Sequence, residues 1–130
     1  MKYGELDGSF LAAGGETGIF SLVEDFYRQM ETLPEAKLIR SMHPQDLTES
    51  IDKLARFLCA WLGGPKLYRE KYGSISIPRA HQHLKISTIE RDAWLLCMQQ
   101  ALLNTQYPDD FQQYLLTQLA VPANRCVNAV

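Results

Sequence analysis

From Ile19 onward the apolar positions fall at Ile19, Leu22, Val23, Phe26, Tyr27 and Met30, the spacing of one face of an α-helix. This run predicts an amphipathic helix that opens after Gly14-Gly15 and closes near Leu33-Pro34, with chain breakers at both junctions and a short helical turn ahead of the glycines. Leu38, Ile39 and Met42 predict one or two helical turns against the core. A second stripe, Leu47, Ile51, Leu54, Ala55, Leu58, Trp61 and Leu62, predicts a helix that starts at Pro44 and stops at Gly63-Gly64-Pro65. Gly just past the last periodic residue, with Pro following, is a common way to end a helix.

Residues 66–85 hold Gly73, Pro78, two serines and many charges. They read as a long irregular connection with one or two turns, in which Ile75 and Ile77 alternate as an extended piece. Connections of that length inside a small domain are usually functional, and this one contains His81 and His83. Ser87 followed by Glu90 is a capping box, which opens a helix running through Trp94 and Met98 to about Asn104. Because Trp94 to Met98 are apolar on every side, that helix is expected at the centre of the molecule. Pro108-Asp109-Asp110 opens a last helix with Phe111, Leu115 and Leu119 inside, which Pro122 kinks or ends. Four substantial helices without a strand pair or internal repeat predict an all-α fold in a single domain spanning 1–130.

Composition narrows the function. With 46% hydrophobic and 22% charged residues, the chain has the make-up of a globular protein able to enclose a ligand. The net charge of −2 and the absence of any basic run argue against nucleic acid as a partner. Cys59, Cys97 and Cys126 are odd in number and lack CxxC spacing, which fits a reducing compartment. No segment approaches the roughly 18 consecutive apolar residues of a membrane span, so the expected location is the cytoplasm.

Two residues raise a chemical question. Tyr27 lies in phase with the buried face of its helix, and Trp94 sits on the central helix. Each brings a hydrogen-bond donor into apolar surroundings, and each needs an acceptor there. A backbone carbonyl can serve, and so can a small ligand such as dioxygen, whose outer atom carries partial negative charge. His81 reads either as a structural loop residue or as a metal ligand, and His43 as a residue ahead of a helix start. Glu24, Asp25, Asp46 and Glu49 read as solvated faces. A helical interaction module that presents His81 and His83 to a partner or a metal explains the loop, but not the two buried donors.

The motifs Gly14-Gly15 with Phe26-Tyr27, Phe57-Leu58, Trp61-Leu62-Gly63-Gly64-Pro65 with Tyr68, Arg79-Ala80-His81, and Ile89-Glu90-Arg91-Asp92-Ala93-Trp94-Leu95 with Cys97-Met98 cover nearly the whole chain. Taken together, the sequence resembles the truncated haemoglobins of group II, with a two-over-two helical globin fold. The resemblance implies haem b as cofactor and dioxygen, carbon monoxide or nitric oxide as ligand. It implies His81 as the proximal iron ligand, and Tyr27, His43 and Trp94 around the distal ligand, with Ser50 and Leu54 lining that side. Phe57, Leu84, Ile86 and Met98 are implied as apolar walls.

Many members carry an Arg before the proximal histidine that contacts a haem propionate, but Ala80 stands at that position. This leaves Arg79, Lys85, Tyr68 and Arg69 as candidate propionate partners. Residues 33–42 form a stretch about three residues longer than in several relatives. The implied function is slow release of ligand from a polar pocket. Nitric oxide or peroxide detoxification with a reductase partner would extend it, and a six-coordinate redox or sensor state with His43 or Tyr27 on iron is its alternative.

Overall fold

In the computed structural model, residues 2–129 are described. The chain forms α1 (Gly8–Ala12), α2 (Gly15–Thr32), a 3₁₀ turn (Pro34–Ala36), α3 (Lys37–Ser41), α4 (Thr48–Trp61), α5 (Leu67–Tyr72), α6 (Ile77–His81), α7 (Thr88–Leu103) and α8 (Asp109–Arg125). Among the described residues there is no strand. No helix is long and apolar enough to cross a membrane.

Two helix pairs make the body: α2 packs on α4 and on α7, and α7 packs in turn on α8. The predicted face of α2 is the buried one, with Ile19, Val23 and Phe26 fully enclosed. Phe111, Leu115 and Leu119 of α8 close the opposite side. Helix α7 also touches α3 and the 3₁₀ turn, as its apolar surroundings predict. Its capping box is present: the Ser87 amide and hydroxyl both donate to Glu90, at 2.8 and 2.9 Å, and the Ile89 amide donates to the Ser87 hydroxyl.

Just past the end of α4 stands Gly63, whose φ of +94° is the left-handed conformation that glycine adopts without strain. A Cβ there would collide with the carbonyl of Leu6, so the residue must also be small for α1 to approach.

Three expectations are corrected. Helix α4 starts at Thr48 rather than Pro44. The carbonyls of Pro44 and Gln45 are held by the Arg40 guanidinium at 3.0 Å each, and the Asp46 carboxylate accepts from the Thr48 amide and hydroxyl, which places the turn before the helix. Residues 66–85 are not one irregular connection: α5 and α6 lie within them, and Ile77, read as extended, opens α6 with Pro78 in its first turn. Of the two outcomes expected at Pro122, a kink or an end, the end is overturned, since α8 continues through it to Arg125.

Short side-chain ties hold α5 in place. The Asp52 carboxylate accepts from Tyr72 at 2.6 Å, Lys71 at 2.8 Å and Arg56 at 2.9 Å. Burial raises this carboxyl, but the bonds from Lys71, Tyr72 and Arg56 outweigh it and hold the group well below the usual carboxylate range. Fixing α5 against α4 in this way brings Tyr68 to the edge of an internal cavity.

Candidate functional site

A cavity of about 370 Å³ lies between α2, α4, the α6–α7 connection and the end of α8. Such a volume falls within the range of small-molecule and cofactor sites. Tyr27, His43, Ser50, Leu54, Phe57, Tyr68, His81, Leu84, Ile86 and Trp94 all line it. Helix geometry explains part of the grouping, because Ser50, Leu54 and Phe57 recur at i, i+4 and i+7 on α4.

Phe26 is wedged between the two donors, its ring centroid 4.9 Å from that of Tyr27 and 4.9 Å from that of Trp94. Tyr27 is only 6% exposed, and its hydroxyl makes no hydrogen bond among the described residues. Every fully enclosed side-chain N or O among the described residues is bonded, so this hydroxyl opens into the cavity. Burial pushes its pKa far above the ordinary phenol value, which keeps it protonated and a donor. The half-buried Trp94 likewise has no acceptor for its indole N–H among the described residues.

Two histidines face this cavity with the same local device. Nδ1 of His81 lies 2.8 Å from the carbonyl oxygen of Ile77, one helical turn back. A carbonyl only accepts, so Nδ1 carries the proton and the lone pair of Nε2 is free to ligate a metal. Nδ1 of His43 stands 2.8 Å from the carbonyl of Ile39, with the same consequence, and its ring lies 5.7 Å from that of Tyr27. Burial lowers the His43 pKa below its ordinary value. The bond to Ile39 partly opposes this, and the charges of Arg40 and His81 add to it. The imidazole is therefore neutral at pH 7.

Not every expected residue reaches the cavity. Met98 is fully buried in the helical core and does not line it, because α7 turns that side chain into the packing between helices. Arg79, Lys85 and Arg69 are exposed and also lie outside the lining, so of the four candidate propionate partners only Tyr68 stands at the cavity. Sequence reasoning missed Lys53, which lines the cavity beside Tyr68 and pairs with Glu49 at 2.8 Å. Its position at i+3 from Ser50 was a usable signal. Ile39 and Met42 were missed as well, as was the end wall of Leu119, Pro122, Ala123 and Cys126, while His83, singled out only for a partner or metal in the interaction-module reading, also lines the cavity. Nothing local marks that wall, since only tertiary packing brings α8 there. Cys126 is half-buried and burial pushes its thiol pKa up, while Cys59 and Cys97 are buried and all three are free.

Among the described residues no three His, Cys, Asp or Glu side chains converge as a metal site, so His81 offers a single ligand. Free imidazole nitrogens without a converging ligand cluster, unpartnered donors and apolar walls fit a flat, largely apolar, metal-bearing macrocycle, which is what haem is.

Comparison with known proteins agrees. A family model described as bacterial-like globin matches residues 9–126. The group 2 truncated hemoglobin YjbI of Bacillus subtilis is 33% identical over 114 residues, 88% of this chain and 84% of that one. Among solved structures, the group II 2-on-2 hemoglobin of Agrobacterium tumefaciens superposes with a TM-score of 0.88 at 34% identity, covering 94% of this chain and 95% of that one. The truncated oxygen-avid haemoglobin of Bacillus subtilis does so with a TM-score of 0.84 at 32% identity, covering 92% and 98%. Membership implies a haem cofactor and small gaseous ligands, which the residues of the cavity suit. The chain belongs to the bacterial-like globins, and within them to the group II truncated haemoglobins.

Proposed function

We propose that this globin binds haem b, that Nε2 of His81 would hold its iron, and that Tyr27 and Trp94, which line the same cavity, would face a bound dioxygen, carbon monoxide or nitric oxide. The haem iron supplies reversible coordination of the diatomic ligand. The observation that carries the reading is the Tyr27 hydroxyl: protonated, nearly enclosed, open to the cavity and without an acceptor among the described residues. Tyr27 and Trp94 donate to the outer atom of the ligand and retard its escape, while Leu54 and Phe57 exclude water. Lys53 and Tyr68, at the cavity edge, would be the partners for the haem propionates in place of the Arg that Ala80 replaces. The solved relative described as oxygen-avid supports slow release. Slow release suits ligand chemistry, such as dioxygen-dependent nitric oxide oxidation or peroxide reduction with a reductase as partner, better than oxygen delivery. The non-haem interaction module is set aside by family membership.

Dioxygen release after Tyr27→Phe tests this. A hydrogen bond to a strongly polar acceptor is worth about 1.5–3 kcal/mol, so release quickens by roughly ten- to a hundredfold. Unchanged release removes Tyr27 from the role assigned to it.

One observation favours a second reading. His43 presents a neutral Nε2 to the cavity by the same bond to an i−4 carbonyl as His81. In that reading His43 is the sixth ligand in the ferric protein, making it a six-coordinate redox or sensor element. A low-spin ferric spectrum that turns high-spin in His43→Ala supports it, and a high-spin wild type rejects it.

A further inference from the structure

The short helix that carries His81 has no fully buried residue. The bond from Nδ1 to the Ile77 carbonyl orients the imidazole on its own helix, but core packing does little to fix that helix in place, and this second restraint must come from elsewhere. We propose that Asn128, beyond the end of α8, is a positioning residue for His81, acting through a hydrogen-bonded strap on the segment that follows it.

Past Arg125 the chain turns back, with the amides of Cys126 and Val127 donating to the carbonyls of Ala123 and Asn124. It then runs alongside Leu84 and Ile86. The side-chain oxygen of Asn128 accepts from the Ile86 amide at 2.8 Å, and its side-chain nitrogen donates to the Leu84 carbonyl at 2.8 Å. The backbone amides of Asn128 and Ala129 both donate to the Ile86 carbonyl, at 2.8 and 3.0 Å. The Leu84 amide in turn donates to the carbonyl of His81 at 3.0 Å. One relay thus runs from Asn128 through Leu84 to His81.

The far end of the strapped segment is equally fixed, because Ser87 begins the capping box of α7. Between these anchors, Leu84 and Ile86 turn their side chains into the cavity. A primary amide suits this place because it offers an acceptor and a donor on one planar group. The carboxylate of Asn128→Asp keeps the bond from Ile86 and loses the one to Leu84.

The inference rests on His81 as the haem ligand, so its test has one arm that needs no haem. In the full chain before haemin is added, the Lys85–Ile86 peptide bond contains the amide held by Asn128. Trypsin is expected to cut there about tenfold faster in Asn128→Ala, as the loss of two neutral hydrogen bonds from a partly buried segment implies, with cutting at Lys53 in α4 unchanged. In the haem-loaded protein, resonance Raman of the ferrous state is expected to show a shifted or broadened iron–histidine stretch. Haem loss to apomyoglobin quickens about tenfold, and dioxygen release stays within about twofold of wild type, since Tyr27 and Trp94 are untouched. Asn128→Asp falls between the two in every readout, which keeps the comparison interpretable if Asn128→Ala folds poorly. Faster trypsin cutting with an unchanged iron–histidine stretch and haem loss overturns the positioning role and leaves only a local tether. Wild-type behaviour in all readouts overturns the strap itself. A wild type that shows no histidine-ligated haem fails the proposed function, and the inference with it, whatever trypsin does.

Discussion

At His43 a single hydrogen bond decides what the ring offers the ligand. With Nδ1 donating to Ile39, neutral His43 presents a lone pair on Nε2 and accepts, while Tyr27 and Trp94 donate. The folded protein lowers the His43 pKa below the usual value of about 6.5. Protonation therefore takes place only as pH falls below that value, and it turns Nε2–H into a further donor toward the ligand. Dioxygen release is expected to slow on acidification below about pH 6.5 and to be flat from there to pH 8. Stopped-flow displacement by carbon monoxide across that range checks it, and the same acid slowing in His43→Ala would assign the effect to another group. Much at this scale was readable beforehand: the phase of Tyr27 and the position of Trp94 posed the question of a missing acceptor, and the structure shows that neither finds one among the described residues. Lys53 poses no such question, since Glu49 four residues before it gives the spacing of an ordinary solvated pair.

Among the elements, long helices announced themselves and short ones did not. Helices α2 and α7 run for 18 and 16 residues, enough turns for apolar spacing and caps to mark them. Helices α5 and α6 have six and five residues, too few for a periodic face, and their composition is that of a loop. The start of α4 misled because Pro44 suits a first helical position, while Arg40 and Asp46 settle the turn by bonds that only the folded chain reveals. Its end was plain, since Gly63 supplies a left-handed residue where α4 stops against α1. Gly63→Ala adds backbone strain and a collision with the Leu6 carbonyl, at a cost of about 2 kcal/mol or more and a fall of roughly 8 °C in Tm. Thermal unfolding followed by circular dichroism measures it, and a Tm within about 2 °C of wild type would mean that α1 yields freely.

For the whole molecule, the all-α class and the two-over-two arrangement followed from four amphipathic segments and the family resemblance. The far wall of the cavity did not, because Leu119, Pro122, Ala123 and Cys126 meet His81 only when α8 has packed on α7 and α6. The molecule thus places one ligating histidine and a set of unpaired donors in a single apolar chamber, with a short, thinly packed helix carrying the histidine. The central claim is that His81 holds haem iron there. It is tested most directly by visible spectra of the purified protein as isolated, after dithionite and after carbon monoxide, for wild type and for His81→Gly with and without imidazole. The account predicts an intense Soret band that shifts at each step, is lost or altered in His81→Gly and returns when imidazole fills the space. A wild type that stays colourless and takes up no added haemin, or a His81→Gly protein whose spectra match wild type without imidazole, would contradict it.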